Sequence, residues 1–149
     1  MTTSEPAGNT AVSSAGVRVV IPSAWRIVEP APDRPVIDPK TLLVVGTDGV
    51  RAKQSQCQIA AYRVPAQGAV VVVVGWARGE WSGTPGRGPL AHLTSVKRPA
   101  FECFTGRGAA VQVRLRRTAY QVNVMVGDRA SKREVSEALA VARSFDVAR

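Results

Sequence analysis

The sequence predicts one α+β domain, in which an antiparallel sheet of about six or seven strands carries a C-terminal amphipathic helix on one face. Three observations favour this fold class. The 149 residues are 45% hydrophobic but only 5% aromatic, so the core depends on valine, which is β-branched and prefers strands. Several short segments alternate apolar and polar residues, as half-buried strands do. Helical spacing of apolar residues is clear only near the C-terminus.

The first strand candidates surround a proline-rich loop. Residues 17–21 (VRVVI) form one candidate, which Pro22 ends because proline lacks an N–H for the ladder. Residues 25–28 can return as a second strand. Four prolines in 29–40 predict an extended surface loop, and 42–45 is a further apolar strand that ends at an Asp-Gly turn.

The middle of the chain contains the clearest strand. Residues 69–76 (AVVVVVGW) include five consecutive valines, which indicates burial on both faces and a central place in the sheet. Residues 56–64 are a weaker strand candidate before it. The glycine- and proline-rich segment 77–99 predicts a long loop, with one helical turn near 90–95.

A hairpin and a helix complete the predicted domain. Residues 100–104 form a short strand, and 109–116 and 120–126 alternate as two strands that pair across Arg117-Thr118. Ser131 and Glu134 then form a capping box at the start of a helix over 132–143. The last few residues either add a short strand or pack against the core.

The N-terminus has neither the basic n-region nor the apolar h-region of a signal peptide. No apolar run reaches the length of a membrane span. Residues 1–16 therefore predict a flexible leader, and 17–149 form the domain. As written, the sequence predicts a cytoplasmic protein, with export as the alternative if the N-terminus is incomplete.

Two features at the ends of the domain carry a family resemblance. An apolar strand followed by P-x-x-W lies at 21–25 (IPSAW), and a capped helix followed by SFDV ends at 144–147. With them the chain resembles the PsbP-like α+β fold of an extrinsic photosystem II protein, a Ran-binding import factor and LpqN-type bacterial lipoproteins. Residues 60–76, 98–113 and 119–145 also resemble an uncharacterised family of small bacterial proteins. The resemblance implies an accessory binding domain without catalysis, and it transfers no functional residues.

An enzyme is not predicted, and neither a cofactor nor a metal is expected. His92 has no cysteine or carboxylate near it at ligand or triad spacing. The acidic residues are scattered, so they form no paired-carboxylate motif. The glycine runs GTDG and GTPGRG match neither a P-loop nor a dinucleotide fingerprint and predict turns.

The two cysteines leave two interpretations open. Cys57 and Cys103 both fall on predicted strands with inward-facing side chains. They can form a disulfide if the fold brings their Cα atoms within about 7 Å. The alternative is a pair of buried, reduced thiols, which is normal for a cytosolic protein.

The best candidate binding loop is WARGEWSGTPGR, at 76–87. Trp76 and Trp81 offer broad apolar faces, while Arg78 and Arg87 offer forked donors for carboxylate or phosphate. The alternative is structural, with Trp76 ending a core strand and Trp81 covering the sheet edge.

A second candidate surface is an outward basic stripe at Arg114 and Arg116. Such a stripe can follow phosphates, but the strands lack aromatic stacking platforms, so a solvated face is the alternative. The net charge of +9 also attracts anions, unless it reflects composition alone. Together these features predict a non-catalytic accessory or binding domain for a protein partner, acidic or otherwise, or for an acidic ligand. A basic nucleic-acid-associated protein is the alternative.

Overall fold

The computed structural model describes residues 8–32, 38–77, 85–98 and 101–148. Their strands are β1 (Thr10–Ser14), β2 (Val17–Ile21), β3 (Arg26–Ile27), β4 (Lys40–Gly46), β5 (Arg51–Ala52), β6 (Tyr62–Arg63), β7 (Ala69–Trp76), β8 (Arg107–Leu115), β9 (Thr118–Val126) and β10 (Asp146–Val147). The α-helix α1 spans Lys132–Arg143, and a 3₁₀ helix spans Gly88–His92. Within these ranges, no helix has the length and apolar character needed to cross a membrane.

The strands form three antiparallel sheets. The central sheet has five strands in the order β3-β4-β7-β9-β8. A smaller sheet has the order β1-β2-β10, and β5 pairs only with β6. The predicted α+β fold with a single sheet of six or seven strands is therefore wrong, because the described chain is mostly β and its strands are divided. Alternation along a strand predicts which face is buried, but it does not say which strands pair.

The valine-rich strand β7 lies in the middle of the central sheet, as predicted, between β4 and β9. Its valines alternate between two hydrophobic cores. Val71 and Val73 belong to the core beneath the helix, whereas Val70, Val72 and Val74 belong to the core on the opposite face. All five are fully buried, so the run of valines reflects a strand covered on both sides.

The first core lies between the central sheet, α1 and the β1–β2–β10 sheet. Helix residues Ala138 and Ala142 are fully buried there, and Trp25 from the P-x-x-W turn is 5% exposed. The Tyr120 and Phe145 rings meet edge to face with centroids 5.3 Å apart. This contact fixes the end of the helix against β9.

The second core is covered by an irregular segment that includes β5 and β6. Ala60, Ala61 and Tyr62 are buried against the valines of the opposite face. The Tyr62 hydroxyl accepts a hydrogen bond from the Ala31 N–H at 2.9 Å, which attaches this segment to the residues after β3. Only Tyr62–Arg63 of the strand predicted at 56–64 is extended and paired, because the rest of that segment forms a cover for the sheet.

The helix prediction over 132–143 is confirmed residue for residue. The Ser131 hydroxyl accepts from the Glu134 N–H at 3.1 Å, and the Glu134 carboxylate accepts from the Ser131 N–H at 3.3 Å. This reciprocal pair satisfies two N–H groups that the first helical turn leaves without partners.

Three other boundaries differ from the prediction. β1 lies inside the segment expected to be a leader, and it pairs with β2 along its full length. Residues 101–104 form a tight turn closed by a bridge between Phe101 and Phe104, so they are not a strand of the sheet. The β8–β9 hairpin turns at Arg116–Arg117, one residue earlier than expected.

Candidate functional site

Trp76 and Arg114 lie on the same face of the central sheet. Ala119 of β9 is directly opposite Trp76 on one side and Arg114 on the other. Residues directly opposite each other point to the same face, and neighbouring strands lie about 4.8 Å apart, so the two residues are about 10 Å apart across Ala119. Both are partly exposed. The structure thus brings these two predicted residues together.

Arg116 does not continue the predicted stripe along β8. It forms the hairpin turn with Arg117, and both have positive φ angles, 49° and 68°. The left-handed region disfavours residues with a Cβ, and hairpin turns of this kind usually take Asn-Gly. Both side chains are exposed at the tip, two residues beyond Arg114. The tip therefore concentrates three arginines beside one tryptophan.

Arg87 lies at the C-terminal end of α1. Its Nε donates to the Phe145 carbonyl at 3.1 Å and its Nη2 donates to the Arg143 carbonyl at 3.2 Å. The Asp146 carboxylate lies 3.9 Å from Nε. A cation here satisfies carbonyl groups at the negative end of the helix dipole, so the guanidinium already has a structural role. Arg78 and Trp81 lie outside the described residues.

Cys57 and Cys103 form a disulfide, with Cα atoms 6.2 Å apart and a sequence separation of 46. The bridge is the first of the two interpretations that the sequence left open. Neither cysteine lies on the predicted strand, because Cys57 lies in an irregular segment and Cys103 in the 101–104 turn, with φ of 66°. Cys57 is partly buried and packs against the second core, whereas Cys103 is exposed. The bridge therefore joins two covering segments of the opposite face to each other.

Sequence reasoning missed a basic groove along α1. The groove has a volume of about 440 Å³ and is lined by Thr94, Arg107, Ala130, Lys132, Val135, Ser136, Leu139 and Arg143. The cations come from β8 and from both ends of the helix. None of these lining residues is acidic. We call this set of residues the helix groove.

Two of the three cations in the helix groove are held in place by backbone carbonyl groups. Arg107 donates to the Ala130 carbonyl at 3.2 Å, and Arg143 donates to the Leu93 carbonyl at 2.6 Å. A guanidinium has several N–H donors in a rigid fork, so one such bond orients the group and leaves other donors for a ligand. Lys132 is exposed.

Part of this groove was detectable from sequence. Lys132, Ser136 and Arg143 follow one another at helical spacing beside the apolar stripe. Arg107 and Thr94 lie beside these helix residues only because of tertiary packing, which local sequence patterns do not predict.

No protein-family model matches this chain, and no curated protein matches it either. The resemblance to the PsbP-like family therefore stays a prediction, and the candidate sites rest on their own geometry.

His92, the histidine of the sequence, lies at the surface in the described structure. His92 ends the 3₁₀ helix and is exposed. Across the same part of the chain, His, Cys, Asp and Glu residues form no group of three that could hold a metal ion.

Proposed function

We propose that this chain is a non-catalytic binding domain that recognises an acidic ligand, and that the ligand is an acidic segment of a partner protein. The observation that carries the proposal is the helix groove, where Arg107, Lys132 and Arg143 surround one cavity without an acidic neighbour in its lining. Carboxylates would neutralise a group of like charges that otherwise repel each other.

The composition of the groove supports a peptide more than a bare inorganic ion. Val135 and Leu139 supply apolar contacts between the cations, while Thr94 and Ser136 supply hydroxyl groups. An acidic side chain has a short apolar stem as well as a carboxylate, so it can use both. The net charge of +9 would also raise the rate of encounter with an acidic partner.

The resemblance to the PsbP-like family supports the same proposal, because that family implies accessory domains. The Cys57–Cys103 disulfide supports an exported location over a cytoplasmic one, since disulfides persist in oxidising compartments.

The experiment is a titration of a fluorescent oligoglutamate peptide with wild-type protein, Lys132→Glu and Arg133→Glu. Both substitutions reverse an exposed charge on adjacent helix residues, but only Lys132 lines the helix groove. We expect Lys132→Glu to weaken binding about tenfold, corresponding to about 1.4 kcal/mol. Arg133 pairs with Glu137 at 3.3 Å and does not line the helix groove, so Arg133→Glu should act on the peptide through screened long-range charge and change the affinity by about twofold or less.

Equal losses in the two variants would show that the peptide senses only net charge, and the site would be rejected. Unchanged binding in Lys132→Glu would reject it as well. Circular dichroism at the helical band checks that both variants keep α1.

The hairpin tip supports a second candidate function, association with single-stranded nucleic acid. Arg116 and Arg117 project from the turn, and Trp76 offers one partly exposed aromatic ring on the face that Arg114 shares. If the tip contacts phosphates, replacing Arg116 and Arg117 by Asn and Gly should reduce the slope of log affinity against log salt by about 1.4, about 0.7 for each lost contact. Absence of binding at low salt would eliminate this candidate.

A further inference from the structure

A second groove lies beside the disulfide, on the side of the molecule covered by β5 and β6. It has a volume of about 440 Å³, within the size range of small-molecule sites. Its lining is Lys53, Tyr62, Arg63, Val64, Ala66, Cys103, Phe104, Thr105, Gly106, Val126, Gly127 and Asp128. None of these residues belongs to the helix groove. We call it the disulfide groove.

One wall of the disulfide groove carries positive charge. Arg63 of β6 is directly opposite Arg51 of β5, and like charges facing each other across two strands are destabilising. The ladder continues through the Lys53 N–H, which donates to the Ala61 carbonyl at 2.8 Å. Lys53 is thereby held next to Arg63, and both side chains are exposed.

These cations have no compensating partner in the described part of the chain. The ion pairs found there join Arg87 to Asp146, Arg98 to Asp128 and Arg133 to Glu137, and none of them includes Lys53 or Arg63. Neither side chain makes a hydrogen bond to another described residue. An anion between them would relieve the repulsion around Arg63.

The opposite wall is held by Arg98. Its Nη1 donates to the Thr105 carbonyl at 2.9 Å, and its Nη2 lies 2.7 Å from the Asp128 carboxylate. The only acidic residue in the lining, Asp128, therefore already has an ion-pair partner. The disulfide joins Cys103 of this wall to Cys57, in the segment that carries Lys53 and Arg63. Both walls are thus connected covalently.

The mixed lining of the groove also includes apolar residues between these walls. Val64 and Phe104 are partly buried, and Val126 is fully buried. A strongly hydrated inorganic ion gains nothing from such contacts, whereas a carboxylate with an apolar group gains from both parts of the site.

From this juxtaposition we infer that the disulfide groove binds a small organic acid, with its carboxylate between Lys53 and Arg63 and its apolar group against Val64 and Phe104. The inference goes beyond the proposed function, because it concerns a different groove and a different ligand class.

The test uses phenylacetate as the probe and acetate as a control ligand that lacks the apolar ring. Binding of each ligand is measured from the amide NMR shifts of the full chain. Phenylacetate should shift the amides of Gly106 and Gly127, and acetate should bind at least about tenfold more weakly because it buries little apolar surface. Lys53→Gln combined with Arg63→Gln should weaken phenylacetate binding at least about tenfold.

Arg51→Gln is the matched control. It removes one positive charge from the same hairpin at a position that does not line the groove, and each of the single variants Lys53→Gln and Arg63→Gln removes one charge that does. Its affinity for phenylacetate should stay within about threefold of wild type, the size of a screened surface effect. Lys132→Glu should leave phenylacetate binding unchanged. The proposal for the helix groove and the inference for the disulfide groove can therefore be rejected independently.

Three results would overturn the inference. They are the absence of saturable shifts at Gly106 and Gly127, equal binding of acetate and phenylacetate, or equal weakening by Arg51→Gln and by the Lys53 and Arg63 substitutions.

Discussion

The β8–β9 turn gives a direct test of backbone strain in this fold. Arg116 and Arg117 have φ angles of 49° and 68°, where a residue with a Cβ costs about 1–2 kcal/mol. Replacing them by Asn and Gly supplies the pair that this turn geometry favours. Relief of the strain stabilises the fold, but glycine offsets about 0.5–1 kcal/mol of this stabilisation because it loses more backbone freedom on folding. We therefore expect Arg116→Asn with Arg117→Gly to raise the free energy of unfolding by about 1–2 kcal/mol.

The assay is urea unfolding followed by tryptophan fluorescence, with thermal unfolding as a second measurement. For a chain of this length each kcal/mol corresponds to about 2–4 °C in Tm. The gain should appear as a higher urea midpoint with an unchanged slope, because the hairpin keeps its register and the surface exposed on unfolding stays the same.

A second variant separates strain from charge. Arg116→Ala with Arg117→Ala removes both positive charges but keeps a Cβ at each left-handed position. We expect it to gain less than half of the stabilisation of the Asn-Gly variant. If the two variants gain equally, repulsion between the arginines is the cause and the strain argument is refuted. If Asn-Gly destabilises the protein, the arginine side chains themselves hold the turn.

Two further predictions concern the cross-link and the helix cap. Replacing Cys57 and Cys103 together by Ser opens a loop with a sequence separation of 46 residues and should lower the free energy of unfolding by about 4 kcal/mol in the chain-entropy account. Urea unfolding measures this loss, and one below about 1 kcal/mol would contradict the chain-entropy account for this loop. Ser131→Ala removes the acceptor for the Glu134 N–H and should cost about 1 kcal/mol. Ser136→Ala, in the same helix but away from the cap, should cost less than about 0.5 kcal/mol, and equal costs would contradict the capping argument.

Local patterns predicted the elements that depend on neighbouring residues. The five valines predicted a central strand because both of its faces are apolar, and the Ser131–Glu134 pair predicted the helix start because the capping contacts lie within one turn. Cys57 and Cys103 could be named as a candidate pair, but the distance between them depends on how two covering segments dock.

The errors occur where long-range packing decides. β2 pairs with β1 and with β10 from the end of the chain, and this pairing separates it from the central sheet. Residues 56–64 have apolar alternation, yet most of them cover the sheet because Ala60 and Tyr62 fill space above its valines. The predicted stripe failed at Arg116 for a similar reason, since only the register with β9 shows where β8 ends.

The positions of the basic groups bear on whether the net charge of +9 is functional. Each face of the central sheet carries a hydrophobic core, and the accessible surfaces include the rim of the sheet and the segments that cover it. Cations gather at three such places, which are the hairpin tip, the helix groove and the disulfide groove. If the charge reflects composition bias alone, removing any one exposed cation should weaken anion binding by the same amount. Grouped cations predict the opposite, because Lys132 and Arg133 are adjacent in sequence but only Lys132 lines a groove. The contrast between matched neighbours therefore decides between the two origins of the charge.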